Sequence, residues 1–153
     1  MDDGKKKERW QRIEAQLAGL MARTADPIAR MATVAALLYH KLDYFFWCGF
    51  YRLVDGELLV GPYQGPLACA KLEKSKGVCW AGINGKESIV VPDVHKFPGH
   101  IACDSRSQSE IVVPVFNKEK KIVGVLDVDS DKLDTFSATD QEYLERIVAL
   151  IFS

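Results

Sequence analysis

Polar and apolar positions change their period along the chain, and each change marks an element. Trp10, Ile13, Leu17, Leu20 and Met21 recur at helical spacing with Lys, Arg, Glu and Gln between them, which predicts an amphipathic helix over residues 6–22. Residues 1–8 are mostly charged and are expected to form a frayed, solvated extension. Asp26 followed by Pro27 reads as an N-cap with proline at the first helical position. Ile28, Met31, Val34, Leu37 and Leu38 then carry a second helix to about His40. Beyond it the period falls to two. YFFWCGFYRL, from Tyr44 to Leu53, is an aromatic-rich strand. Asp55-Gly56 is a hairpin turn, and ELLVGPY pairs back. Gly61, Pro62, Gly65 and Pro66 close that unit. The stretch 71–85 is mixed, with a short helix starting near Gly77. SIVVPDV is a short strand, and SEIVVPVFN with KIVGVLDVDS forms a second hairpin across Lys118 to Lys121. Ser137 and Asp140 make a capping pair for a last helix carrying Leu144, Ile147, Val148 and Ile151.

Two helices, a hairpin, a short helix and strand, a long loop, a hairpin and a helix suggest an α+β fold. An antiparallel sheet with the helices packed on one face satisfies that order. The 153 residues show no internal repeat or linker, so a single domain over 1–153 is expected.

Strand alternation then assigns faces. Ile111, Val113 and Val115 share one face, and Ile122, Gly124, Leu126 and Val128 form another wholly apolar one; these are expected to meet the helices. Phe45, Trp47, Gly49, Tyr51 and Leu53 share a face, with Phe46, Cys48 and Phe50 opposite. Glu110, Asp127 and Asp129 then point away from the helices. Three neighbouring carboxylates repel unless they face water or a cation sits among them. Lys120 and Lys121 lie in the turn and cannot serve, so the choice is between open solvent and a bound ammonium group. Trp47 and Tyr51 are likewise either core aromatics or the apolar wall of a pocket. Cys48 falls on the helix side and reads as packing.

Composition narrows the function. A net charge of −1 gives no electrostatic grip on nucleic acid or on an acidic membrane. No apolar run approaches the length of a membrane span, and MDDGKKKERW lacks the apolar centre of a secretory signal. A cytoplasmic setting is expected, where Cys48, Cys69, Cys79 and Cys103 stay mostly reduced. They contain no C-x-x-C pair, and His95, His100 and Cys103 match no zinc spacing. No metal or bound cofactor is expected. The histidines instead shape the loop, with His100 placed to stabilise a thiolate at Cys103.

WCGFY, GPYQGPLAC, GVC, DVHKFPGHIACDSRSQSEIVVPV and GVLDVDS, in that order, resemble the free methionine-(R)-sulfoxide reductases, which are single GAF domains. The resemblance spans roughly residues 10–153 and is carried most specifically by the HKFPGHIACDSRSQSEIVVP run. It implies thiol reduction of free methionine sulfoxide, with Cys103 as nucleophile, Cys69 as resolving partner and Cys79 as a relay thiol. It implies that Glu110, Asp127 and Asp129 hold the amino group and protonate the sulfoxide oxygen, and that Trp47 and Tyr51 line the methyl group. The backbone amides of Ile101 and Ala102 are placed to hold the thiolate or the substrate carboxylate. Thioredoxin is the implied electron donor and a homodimer the implied assembly. Trp80 after GVC, and Lys74-Ser75-Lys76 before Gly77, depart from the family pattern and put the Cys79 relay in question. The competing reading is a GAF sensor that binds a small ligand without chemistry, for which three cysteines at these spacings have no use.

Overall fold

A computed structural model describes residues 2–100 and 103–153. The first helix begins where a side chain can cap it: the Asp2 carboxylate accepts the Lys5 amide at 3.0 Å, and α1 runs Asp3–Met21. The expectation of a frayed extension over 1–8 is thereby corrected. Lys6 is buried and its ammonium bonds Asp140, which ties the first turn of α1 to the far end of the chain. Asp26 caps α2 (Pro27–Lys41) as the sequence predicts, accepting the Ala29 amide at 2.8 Å.

The chain then extends into β1 (Trp47–Val54) and β2 (Glu57–Gln64). Asp55 and Gly56 join them with both φ angles positive, 50° and 79°, the two-residue geometry that suits the twist of a hairpin. β1 begins three residues later than the pattern suggested. Tyr44 and Phe45 precede the extended run and turn back to the helices, so alternation misplaces Phe45. After β2 come β3 (Lys71–Leu72), α3 (Gly77–Gly85), β4 (Ile89–Val91) and a 3-10 turn at Val94–Lys96. β5 (Ser109–Phe116) and β6 (Ile122–Ser130) form the second hairpin, and α4 (Ala138–Val148) follows with the expected capping box, Ser137 N–H donating to Asp140 Oδ2 at 2.8 Å.

All strand pairs are antiparallel, in the order β3-β2-β1-β6-β5-β4. β1, β6 and β5 form the centre. α1, α2 and α4 cover one face, where Trp10, Leu17, Leu38, Phe50, Ile111, Val113, Leu126, Val128 and Leu144 make a dry core. Cys48 is fully buried in that core, as its position in β1 predicts. A bulge breaks the alternation at the start of β6: β5 and β6 change register between Val115 and Phe116. Val123 therefore packs on the helix side and Ile122 on the other, the reverse of the expected order at that end. Among the described residues the opposite face carries α3 and loops, and a second cluster of Trp47, Tyr51, Val78, Cys79, Val112 and Val125. Among the described residues no helix is long and apolar enough to cross a membrane.

Candidate active site

Register places the three acids together. Glu110 on β5 lies directly opposite Asp129 on β6, and Asp129 opposite Trp47 on β1. In the next row Val112, Asp127 and Gly49 lie side by side. Gly49 is required there: a Cβ would approach Tyr63 Cα to 2.9 Å and the Trp47 ring to 2.8 Å. Its absence lets Trp47 stack between Tyr51 and Tyr63, at centroid distances of 5.9 and 5.3 Å. The sheet thus presents an acid cluster bordered by an aromatic shelf.

The acids do not face open solvent. Glu110 and Asp127 are 5% and 6% exposed, and Asp129 is half-buried. They line a small cavity, about 50 Å³, with Trp47, Tyr51, Cys79, His100 and Cys103. Among the described residues no cation balances them. Lys76 lines the cavity, but its ammonium pairs with Glu73 at 3.0 Å. His100 Nδ1 stands 3.9 Å from Glu110 Oε1, beyond hydrogen-bond reach, and burial lowers its pKa, so the imidazole is neutral rather than the charged partner the sequence suggested. Burial, then the charges of Asp127 and Asp129, hold the Glu110 carboxyl well above its ordinary range. Burial raises Asp127 as well, while protons shared from Glu110 and Cys79 pull it back. Burial and Asp127 raise Asp129. A protonated Glu110 donating towards Asp127 is the state consistent with these directions.

The cysteines separate clearly. Cys69, after β2, and Cys103, in the loop before β5, form a disulfide at the mouth of the cavity, with Cα atoms 5.6 Å apart. Two aromatic side chains steady the Cys69 segment. Tyr51 donates its hydroxyl to the Cys69 carbonyl at 2.9 Å, and Trp47 donates its indole N–H to the Pro66 carbonyl at 3.0 Å. These bonds were not foreseen; the signal was only that two amphipathic aromatics shared a strand face. Beyond Cys103, Arg106 grips Asp104 with both sides of its guanidinium, at 2.6 and 3.0 Å, and stacks over Phe46 at 4.9 Å. Cys79 is a free, buried thiol on α3. Burial, then Asp127, pushes it well above the ordinary thiol range.

The departures noted in the sequence have local causes. Trp80 is buried behind Cys79 and donates to the Leu72 carbonyl at 3.4 Å, fastening α3 to β3. Ser75 and Gly77 both carry positive φ, 59° and 82°, in the approach to α3. His95 points outward and pairs with Asp93 at 3.0 Å. Ile101 and Ala102 lie outside the described residues. Of the predicted site, Cys69, Cys79, Cys103, Trp47, Tyr51, Glu110, Asp127 and Asp129 line or adjoin one cavity.

Comparison with known proteins agrees on the type of domain. A family profile described as the GAF domain matches residues 15–151. GAF domain-containing protein A of Dictyostelium discoideum is 47% identical over 97% of this chain and 93% of its own length. The free methionine-R-sulfoxide reductase of Escherichia coli is 40% identical over 94% of this chain and 87% of its own. The crystal structure of the free methionine-R-sulfoxide reductase of Neisseria meningitidis in complex with its substrate superposes with a TM-score of 0.90, at 38% identity, covering 99% of this chain and 89% of that one.

Proposed function

The chain belongs to the GAF-domain family of free methionine-R-sulfoxide reductases, and from that premise we propose how its own residues carry out the reduction of the free amino acid. The observation that carries the reading is the Cys69–Cys103 disulfide at the mouth of an acid-lined cavity. In the reduced enzyme the Cys103 thiolate attacks the sulfoxide sulfur. A proton from the acid cluster passes to the sulfoxide oxygen. The hydroxyl then passes from the substrate sulfur to the Cys103 sulfur as the bond between the two sulfurs breaks, so methionine leaves and Cys103 is left as sulfenic acid. The Cys69 thiol attacks that sulfur, water departs, and the disulfide forms; an external dithiol of the thioredoxin type restores both thiols. One sulfoxide and two thiols give one thioether, one disulfide and one water.

Glu110 is the proton donor that the pocket favours, because burial and two neighbouring acids keep it protonated. Asp127 and Asp129 then face the substrate ammonium, and Trp47 and Tyr51 cover its alkyl end. Free amino acid is preferred over a peptide residue because an ammonium group neutralises an acid cluster that no side chain of the cavity balances. The Ile101 and Ala102 amides take the carboxylate end. Cys79 serves as the relay thiol, reached after Cys69. Residues 1–153 act as one domain, in the cytoplasm, as a homodimer.

The test couples the enzyme to thioredoxin, thioredoxin reductase and NADPH with the R and S epimers of free methionine sulfoxide. Turnover is expected with R alone. Cys103→Ser should fall to background, and Cys69→Ser should release about one methionine per enzyme and then stop. Equal rates on both epimers, or continued cycling by Cys69→Ser, would refute the assignment.

A further inference from the structure

The thiol of Cys79 lies against two of the acids that line the cavity. Cys79, Glu110 and Asp127 are all buried, and one ligand atom from each lies within 4.8 Å of the other two. Asp127 Oδ1 is sealed from solvent and has no hydrogen-bond partner among the described residues. It lines the cavity with no cation beside it. An ammonium group would satisfy the carboxylates, but it gains nothing from a sulfur among them.

We propose that Cys79, Glu110 and Asp127 form a site for a thiophilic divalent cation of the zinc or cadmium class, which excludes the substrate's amino group from the cavity. Sulfur selects for such metals over magnesium and calcium, which take oxygen ligands. Two carboxylates and a thiolate supply three ligands, and the fourth position opens into the cavity, where water completes a tetrahedron. Tetrahedral zinc brings its donors to about 3.3–3.5 Å from one another, given bonds of about 2.0–2.3 Å. Small rotations of the three side chains close that gap. On binding, the thiol proton and the proton held between the acids leave to solvent, and the metal replaces them. The site does not include the disulfide, so it exists in the oxidised as well as the reduced protein. Metal binding is independent of the reductase reading; the exclusion of substrate rests on it.

The oxidised protein, free of thiol reductants, is titrated with Cd²⁺ and followed by thiolate-to-metal charge-transfer absorption in the ultraviolet. Saturation is expected at one equivalent, with Zn²⁺ displacing Cd²⁺. Cys79→Ser should lose the band, and calorimetric Zn²⁺ affinity should fall about tenfold or more in both Cys79→Ser and Asp127→Asn. Cys48→Ser, altered on the opposite face of the sheet, should keep both. In the coupled assay Zn²⁺ should inhibit competitively with free methionine sulfoxide, and a chelator should restore activity. A band that persists in Cys79→Ser, no band in the unaltered protein, or unchanged Zn²⁺ affinity in Asp127→Asn would overturn the site. Binding without competition would overturn the exclusion while leaving the site standing.

Discussion

The two faces of one sheet treat a buried carboxylate in opposite ways. On the helix side Asp140 is fully buried, yet it is surrounded by donors: the Lys6 ammonium, the Trp10 indole N–H at 3.0 Å, the Tyr44 hydroxyl at 2.8 Å and the Ser137 amide. On the cavity side Glu110 and Asp127 are buried and Asp129 is half-buried beside them, with no cation among the described residues that line the cavity. A structural carboxylate is folded together with its partners. A binding carboxylate is folded without them, and the energy stored in the unbalanced cluster becomes available to a guest that supplies the missing charge. The cost of that second arrangement falls on the fold, and the first face, with its dry apolar core, must offset it.

The comparison breaks most completely at adjacent residues of β6. Leu126→Asp puts a carboxylate into the apolar helix-side core, beyond reach of the donors that surround Asp140, and it should cost more than about 4 kcal/mol, enough to prevent folding at room temperature. Asp127→Leu, one residue along, removes a charge from the other face. It should fold with a midpoint in urea equal to or above that of the unaltered chain while reductase activity is lost. If both variants unfolded alike, the division between the faces would be false.

Asp140→Ala sharpens the helix-side half. It leaves the buried Lys6 ammonium without its partner and removes the capping box of α4, so unfolding by urea should show a loss of about 3–5 kcal/mol. Reduction of the sulfoxide by the fraction still folded should keep its specific rate, because Asp140 is remote from the cavity lining.

The smallest effect is in the pH dependence of stability. Glu110 and Asp129 hold protons in the folded chain at pH values where the unfolded chain has released them. The folded state then binds more protons, so stability falls as pH rises from the ordinary carboxylate values, 3.8 and 4.5, through the raised ones. Glu110→Gln should flatten that decline above pH 4.5 and raise stability at neutral pH by about 1 kcal/mol, measured by urea unfolding across the range. An unchanged slope would mean that Glu110 is ionised in the folded chain.

Much of this was legible in the sequence because the strands alternate faithfully where both faces are buried. The division of β5 and β6 into Ile111, Val113, Leu126 and Val128 on one side and Glu110, Asp127 and Asp129 on the other follows from a period of two. The caps at Asp26 and Ser137 and the turn at Asp55-Gly56 were equally plain, since each is a local contact between near neighbours. What escaped was long-range. Nothing near Lys6 announces Asp140, and so a charged end was mistaken for a frayed one. The bulge at Val115/Phe116 adds Val123 to β6, and it reverses Ile122 and Val123. The neutral state of His100 depends on burial, which only the folded chain sets.

Because α1, α2 and α4 lie on one side of the sheet and the cavity opens on the other, the sheet stands between the first and last helices and the mouth. Fluorescent proteins, affinity tags or a surface tether can therefore be joined at either end without crowding the entrance. The domain is well suited to use as the recognition element of a sensor for oxidised methionine.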